Sequence, residues 1–238
     1  MSPDLALVEA SASAMGLRLP AGAIERFERY LTELLRWRER LNLTAAATAT
    51  EIVTAHFTES LIPLAAWAIG EGSRAIDVGS GAGFPGVPLK IARPDLRIVL
   101  LEASRRRAAF LEHLRSVLEL DDLDVEWARA EDLGRRAGFR EGFAVAVERA
   151  VAKIAASAEL CLPLVQRDGA AILLKGPAVM REIGRVSPLF MRMGGALERA
   201  QPWEVGVSGR TTVAVVIRKV GDTPEEYPRR AARLGSRA

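Results

Sequence analysis

The segment Asp77-Val78-Gly79-Ser80-Gly81-Ala82-Gly83-Phe84-Pro85-Gly86 constrains this chain more than any other. It follows the short apolar run 75–78 and leads into 86–92, a stretch of helical character. Glycine reaches positive φ without strain and has no side chain to hold a ligand off the backbone, and the first turn of a helix leaves N–H groups without intrahelical partners. A strand, a glycine turn and a helix in that order form the unit with which parallel α/β sheets bind polar ligands. A polar ligand is therefore expected on this turn, and the rest of the chain should supply further strand and helix units.

It does. Short apolar runs at 75–78, 98–101, 125–127, 143–147 and 170–174 alternate with helical stretches at 86–92, 104–120, 131–136, 154–165 and 179–193. Strands separated by helices predict a parallel sheet with crossover helices on both faces. The runs 197–205 and 211–218, joined by 206–210, break the alternation and read as a hairpin. The expected fold is α/β: a mostly parallel seven-stranded sheet with one antiparallel strand. Upstream, 25–41 sets Phe27, Tyr30, Leu31, Leu34, Leu35, Trp37 and Leu41 at three- and four-residue steps, an amphipathic helix, and 51–68 predicts a second. The 238 residues thus divide into a helical extension over 1–70, a Rossmann-like domain over 71–220 and a basic tail over 221–238. A second full domain would not fit this length.

The glycines narrow the ligand. Gly81, Gly83 and Gly86 satisfy the G-x-G-x-x-G spacing, and Glu102, about 20 residues beyond Gly81, ends the second strand where a carboxylate suits ribose hydroxyls. A nicotinamide dinucleotide and S-adenosylmethionine both carry an adenosine ribose, so these features do not separate them. Asp77 does more. Its carboxylate before the first glycine could hold the methionine amino group through the turn, where a pyrophosphate would be repelled, and Phe84-Pro85 narrows the mouth. S-adenosylmethionine is the favoured cofactor. A nicotinamide-dependent oxidoreductase remains the alternative enzyme, and a non-catalytic RNA-binding assembly protein the alternative without chemistry.

Composition bounds the class. Apolar residues make up 49% and charged residues 26%, ordinary globular proportions, with a net charge of +3 that favours a polyanionic partner without establishing one. Of the 33 basic residues only Lys90, Lys153, Lys175 and Lys219 are lysine. Arg105, Arg106 and Arg107 open a helix, the end at which its dipole disfavours cations, and contact with RNA phosphate would account for them there. One cysteine and two histidines allow neither an internal disulfide nor a zinc cluster, so no metal is expected, and Cys161 in an apolar run reads as a buried structural thiol. Asp4 and Glu9 stand where a secretory signal would be basic and then apolar, and the uncharged run 60–70 is half a membrane span. A cytoplasmic protein with no membrane partner, monomeric, is the expectation.

Beyond single features, a series of blocks carries a resemblance. Asn42-Leu43-Thr44, His56 to Ser60, Asp77 to Leu89, Leu100-Leu101-Glu102, Ala130-Glu131, Glu148-Arg149-Ala150 and Leu174-Lys175-Gly176 stand in the order and spacing of the bacterial small-subunit ribosomal RNA guanine-N7 methyltransferases, the glucose-inhibited division protein B family. The chain resembles that family from about Phe27 to Lys219, most specifically in the Gly-Phe-Pro-Gly continuation of the turn. The resemblance implies the class I methyltransferase fold and methyl transfer from S-adenosylmethionine to N7 of one guanine in the decoding-region loop of 16S ribosomal RNA. It further implies that Gly79 and Phe84 lie on the cofactor turn, that Glu102, Ala103 and Ser104 form the ribose loop, that Ala130 and Glu131 contact adenine, and that Arg149 meets the cofactor after the fourth strand. Glu148 departs from the pattern, since many relatives carry serine there, and Tyr227-Pro228-Arg229-Arg230 matches a basic ending only loosely.

The absences agree with a ring-nitrogen acceptor. N7 of guanine has its lone pair in the ring plane and needs no general base, whereas cytosine C5 chemistry would require a cysteine nucleophile. Glu148-Arg149-Ala150-Val151 also stands where enzymes acting on exocyclic amines carry an Asn/Asp-Pro-Pro-aromatic turn. Arg149 and Lys175, both at predicted strand ends, are the candidate catalytic residues, able to hold a phosphate or the guanine edge unless they pair with carboxylates such as Glu148 or Glu131. Asn42 and His56 join the arginines as RNA-binding candidates if the extension folds over the cofactor, and otherwise serve as structural hydrogen-bond partners.

Overall fold

The computed structural model describes residues 3–41, 43, 48–205 and 209–229. The extension comprises α1 (Pro3–Ala14), α2 (Ala23–Leu41), α3 (Ala49–Ile52), a π-helical turn (Val53–Phe57), a 3-10 turn (Glu59–Leu61) and α4 (Ile62–Ala66). The sheet region follows as β1 (Arg74–Val78), α5 (Gly86–Ala92), β2 (Arg97–Glu102), α6 (Arg105–Val117), β3 (Leu123–Trp127), α7 (Ala130–Leu133), β4 (Phe143–Arg149), α8 (Ile154–Cys161), β5 (Val165–Lys175), α9 (Ile183–Arg192), β6 (Gly195–Val205) and β7 (Arg210–Lys219). The sheet order is β3-β2-β1-β4-β5-β7-β6, and β7 alone runs against its neighbours.

Three expectations give way to local chemistry. The helix expected over 51–68 is broken into four short pieces. Thr54, Thr58 and Ser60 each turn a hydroxyl back onto the carbonyl four residues earlier, a bond that bends helices, and Pro63 has no N–H to continue the ladder. The helix expected over 154–165 stops at Cys161 before Pro163, and β5 starts five residues earlier than its apolar run, through the exposed stretch 166–168. Finally, α1 has no counterpart in the sequence reading. Its small alanines and serines hide the three- and four-residue spacing of Leu5, Val8 and Ala12, which are buried.

The extension is not an appendage. Phe27, Tyr30, Leu34, Phe57 and Ile62 are fully buried in one apolar cluster with Val87 of α5, Leu111 of α6 and the strand residues Ala75, Val145 and Val216. Fully burying one such side chain contributes roughly 1.5–3 kcal/mol, so the sheet's first face and the extension stabilise each other. The second face packs α8 and α9 through Ile154, Ala158 and Phe190. The described part of the tail is held as well: Arg135 and Arg140 donate to carbonyls between Thr223 and Pro228, and Arg229 forks onto Glu159 at 2.6 Å.

From β1 the chain builds outward to β2 and β3, and β4 then returns to the other side of β1. That reversal leaves a crevice beyond the carboxyl ends of β1 and β4, where ligands bind in open α/β sheets.

Candidate active site

A cavity of about 490 Å³ opens at this crevice, bounded on one side by the glycine turn and Glu102 and on the other by His56, Phe84 and Arg149. The turn is held from behind by the amides of Gly79 and Ser80, which donate to Leu101 O at 2.8 and 3.0 Å. Its glycines have different tasks. A Cβ on Gly86 would lie 2.3 Å from Leu100 Cδ2, and one on Gly79 2.5 Å from Val151 Cγ2, so at both places packing demands glycine. At Gly81, with φ +57°, a Cβ would meet only Gly79 O at 3.9 Å and would otherwise enter the cavity. Gly81 is the position that leaves room for a ligand.

Asp77 lies beneath the turn, fully buried. Its Oδ2 accepts from Gly86 N at 2.9 Å, while Oδ1 has no hydrogen-bond partner among the described residues. Burial pushes its pKa up to about 7, against the Gly86 amide, Ser80 and Arg149. Glu102 closes the same wall from β2: Oε2 accepts from Gly81 N at 2.9 Å and Oε1 from Ser104 N at 2.7 Å. An ionised carboxylate offers about four acceptor sites, so two remain for hydroxyl donors. An unmet buried acceptor, a glycine facing open space and a carboxylate with spare acceptors fit a ligand that has a cationic amino group at one end and ribose hydroxyls further along.

The opposite wall is assembled from distant segments. Arg149, at the end of β4, donates through Nη1 to Glu59 Oε2 at 3.0 Å and to Ala55 O at 3.4 Å, and its guanidinium lies 4.8 Å from the Phe84 ring centroid. Burial works against its charge, with Glu59, Tyr30 and Asp77 opposing that effect. Glu59 also accepts the Thr212 hydroxyl from β7. His56, on the π-helical turn, packs its ring 5.0 Å from Phe84. Burial, then Arg149 and Arg210, lowers its pKa to about 3, which leaves it neutral across the physiological range. From α2, Tyr30 donates to Ala82 O at 2.7 Å and stands 5.4 Å from Phe84, so the extension braces the cofactor turn directly.

Of the residues expected from sequence, Gly79, Gly81, Phe84, Glu102, Ala103, Arg107, Arg149 and His56 border the cavity. Asp77, Gly83 and Ser104 support it from behind, Gly83 by packing against Tyr30 and Val87. Ala130 and Glu131 open α7 beyond β3 and do not line the cavity, and Arg105 and Arg106 are exposed on α6. Lys175 needs correction as a catalytic candidate. Its Nζ donates to Glu148 at 2.5 Å, Ser157 Oγ at 2.7 Å and Ala152 O at 2.8 Å, which uses all three donors away from the cavity lining. Glu148 in turn accepts from Val151 N. The pair therefore fixes the loop after Arg149 instead of meeting a substrate, and an ammonium beside a buried carboxylate is the physical reason. Asn42 lies outside the described residues.

Sequence reading missed Tyr30 and Glu59. Tyr30 looked like one more member of an apolar stripe. Glu59 did carry a signal, because His56 and Glu59 are the only ionisable side chains in the otherwise apolar stretch 52–70.

The strand order, the glycine turn after β1 and the carboxylate ending β2 define a class I S-adenosylmethionine-dependent methyltransferase fold. Solved structures agree at the level of fold. TYW2 of M. jannaschii, in complex with AdoMet, superposes with a TM-score of 0.52 at 14% identity, over 65% of this chain and 73% of that one. The 16S rRNA (adenine(1408)-N(1))-methyltransferase from Catenulisporales acidiphilia gives 0.52 at 11% identity, over 64% and 89%. Within that class, residues 23–192 match the GidB family, rRNA small subunit methyltransferase G, and the chain belongs to it. It is 45% identical over 220 residues to the ribosomal RNA small subunit methyltransferase G of Roseiflexus sp. (strain RS-1), covering 92% of this chain and 93% of the relative. The corresponding protein of Pelotomaculum thermopropionicum is 39% identical, with 94% and 93% covered.

Proposed function

We propose that this chain transfers the methyl group of S-adenosylmethionine to N7 of a guanine in the decoding-region loop of 16S ribosomal RNA. The observation that carries this reading is a cavity furnished to position two ligands and poor in bases. Among the described residues that line it, the ionisable side chains are His56, Glu102, Arg107 and Arg149. Glu102 is engaged by two backbone amides, the arginines are cations, and His56 binds a proton only near pH 3. Cys161 is fully buried in the second core cluster, where burial raises its thiol pKa well above the ordinary range. A lone-pair nitrogen that need not lose a proton is the acceptor such a site can serve, with positioning supplying most of the acceleration.

S-adenosylmethionine supplies an electrophilic methyl group when bound. Asp77 and the Gly81 gap would take its amino-acid end and Glu102 its ribose hydroxyls, while the family resemblance assigns its adenine to Ala130 and Glu131, which open α7 outside the cavity lining. Arg149, anchored by Glu59 and backed by Phe84 at the cavity wall, would offer its remaining N–H groups to guanine O6 or a neighbouring phosphate. Lys175 and Glu148 hold the Arg149 loop in register. Arg105, Arg106 and Arg107 would meet the RNA backbone. The extension over 1–70 works as the acceptor-side wall of the 71–220 domain, and the protein acts as a cytoplasmic monomer. Among the described residues no helix is long and apolar enough to cross a membrane, which is compatible with that location.

The test is incubation with methyl-labelled S-adenosylmethionine and protein-free 16S or 23S ribosomal RNA, beside thermal-shift measurements with S-adenosylhomocysteine and NAD. Label in 16S RNA only, with stabilisation by S-adenosylhomocysteine only, is the expected result. Stabilisation by NAD, or label in neither RNA, overturns the reading.

A further inference from the structure

At the open edge of the sheet, β3 ends in Trp127, which is 58% exposed. The other tryptophans, Trp37, Trp67 and Trp203, pack against the first core cluster. Trp127 is exposed yet not loose: its indole N–H donates to Ala103 O at 3.1 Å, and Arg105 sets its guanidinium 5.4 Å from the ring centroid. The bond fixes the ring and satisfies its one polar atom, so what Trp127 offers outward is a flat aromatic surface. Basic side chains flank it, beside the acidic Glu126, which pairs with Arg136 at 3.2 Å, and the Glu131 and Asp132 that open α7. Ala103 and Arg107 border the cofactor cavity, and Arg106 and Arg129 are exposed on the flanking segments. A rigid ring among arginines, beside a cavity mouth, matches how single-stranded nucleic acid is held: bases stack on aromatic faces and phosphates meet cations. The group that meets the ring face is the Arg105 guanidinium, which suits a phosphate-bearing partner better than an apolar protein surface.

We propose that Trp127 is a stacking platform for an unpaired nucleobase of the RNA substrate, flanking the target nucleotide, with Arg105 supporting the ring and contacting the adjoining phosphate. This rests on the reading that the substrate is RNA. It adds a binding residue outside the cavity and separates RNA capture from cofactor capture, because Trp127 bonds to the Ala103 carbonyl without itself lining the cavity.

The test compares the full-length protein with W127A, W127F and W127L, using protein-free 16S ribosomal RNA and labelled S-adenosylmethionine, with calorimetry of S-adenosylhomocysteine alongside. Loss of one stacked base should raise KM for RNA about tenfold in W127A and W127L, while W127F stays close to the parent. Turnover and S-adenosylhomocysteine affinity should remain within about twofold of the parent, as expected when a uniform binding contact is removed. An RNA KM unchanged in W127L, or a parallel fall in S-adenosylhomocysteine affinity, overturns the proposal; in the latter case Trp127 merely buttresses the Ala103 loop. If the parent protein transfers no methyl group, the function proposed above fails, and filter binding of the same RNA to parent and W127L still decides the platform: equal retention refutes it.

Discussion

The glycine wall of the cavity is mostly backbone, shaped by residues close to one another in the chain, whereas the arginine wall is side chains delivered from three separate segments. Gly79 to Gly83 and Glu102 lie on consecutive strand ends and bond directly to one another. Arg149, Glu59, Thr212 and His56 come from β4, the extension and β7, and meet only because the extension packs into the sheet's own core. A backbone site of this kind serves a cofactor that many enzymes share. A composite wall can vary with the acceptor, although Arg149 and His56 both pack on Phe84 of the turn. The two walls should therefore fail differently.

The largest effect is expected at the glycine wall. Gly81→Val fills the open space and should abolish S-adenosylhomocysteine binding in calorimetry. A β-branched residue at positive φ strains the backbone by about 1–2 kcal/mol, so the melting temperature should fall by only several degrees. Gly86→Ala makes the contrast. Its Cβ collides with Leu100 and Asp77, so it should destabilise the fold before it touches binding. If Gly81→Val binds normally, the turn is not the cofactor site.

Next in size is Glu102→Ala. Each ribose hydroxyl bonded to a carboxylate is worth about 1.5–3 kcal/mol, so cofactor affinity should drop roughly ten- to a hundredfold with RNA affinity unchanged. Arg149→Lys probes the other wall. It keeps the charge and loses the fork, and turnover at saturating cofactor should fall at least about tenfold, some 1.4 kcal/mol of barrier, with the melting temperature within a few degrees of the parent. Glu59→Gln should reproduce part of that loss by releasing Arg149, and steady-state kinetics with saturating cofactor read both. Parental turnover in Arg149→Lys would make the arginine a structural ion-pair partner and dissolve the distinction between the walls.

The smallest effect is a pH dependence. Asp77 titrates near 7 in the free protein, because burial raises its pKa. A ligand ammonium prefers the carboxylate, so cofactor affinity should rise as pH increases through 7 and fall below it, by about eightfold between pH 6 and 7.5. Asp77→Asn should flatten that profile in calorimetry. An affinity that improves on acidification would place the amino group elsewhere.

The same division explains what the sequence made legible. The strand alternation, the turn, Glu102 and the hairpin runs 197–205 and 211–218 are signals written over a few consecutive residues, and the sheet with its one antiparallel strand followed from them. The breaks within 51–68 depend on hydroxyls bonding back to carbonyls, which compete with a periodic pattern that still looks helical. The roles of Tyr30, Glu59 and Lys175 depend on partners far away in the chain. Tyr30 meets Ala82 only once α2 lies against α5, and Lys175 is spent on Glu148 because β4 and β5 pair in parallel. Periodicity places such residues on elements but does not name what they touch.

The most direct test of the whole account is to treat 16S ribosomal RNA with the protein and S-adenosylmethionine, digest it, and locate the added methyl group by mass spectrometry. The account predicts a single 7-methylguanosine, in the decoding-region loop, formed at saturating S-adenosylmethionine with little dependence on pH across neutrality and at a much lower rate by Arg149→Lys. A methyl group on an exocyclic amine, a ribose hydroxyl or a pyrimidine carbon would contradict a site that positions a ring nitrogen without a base.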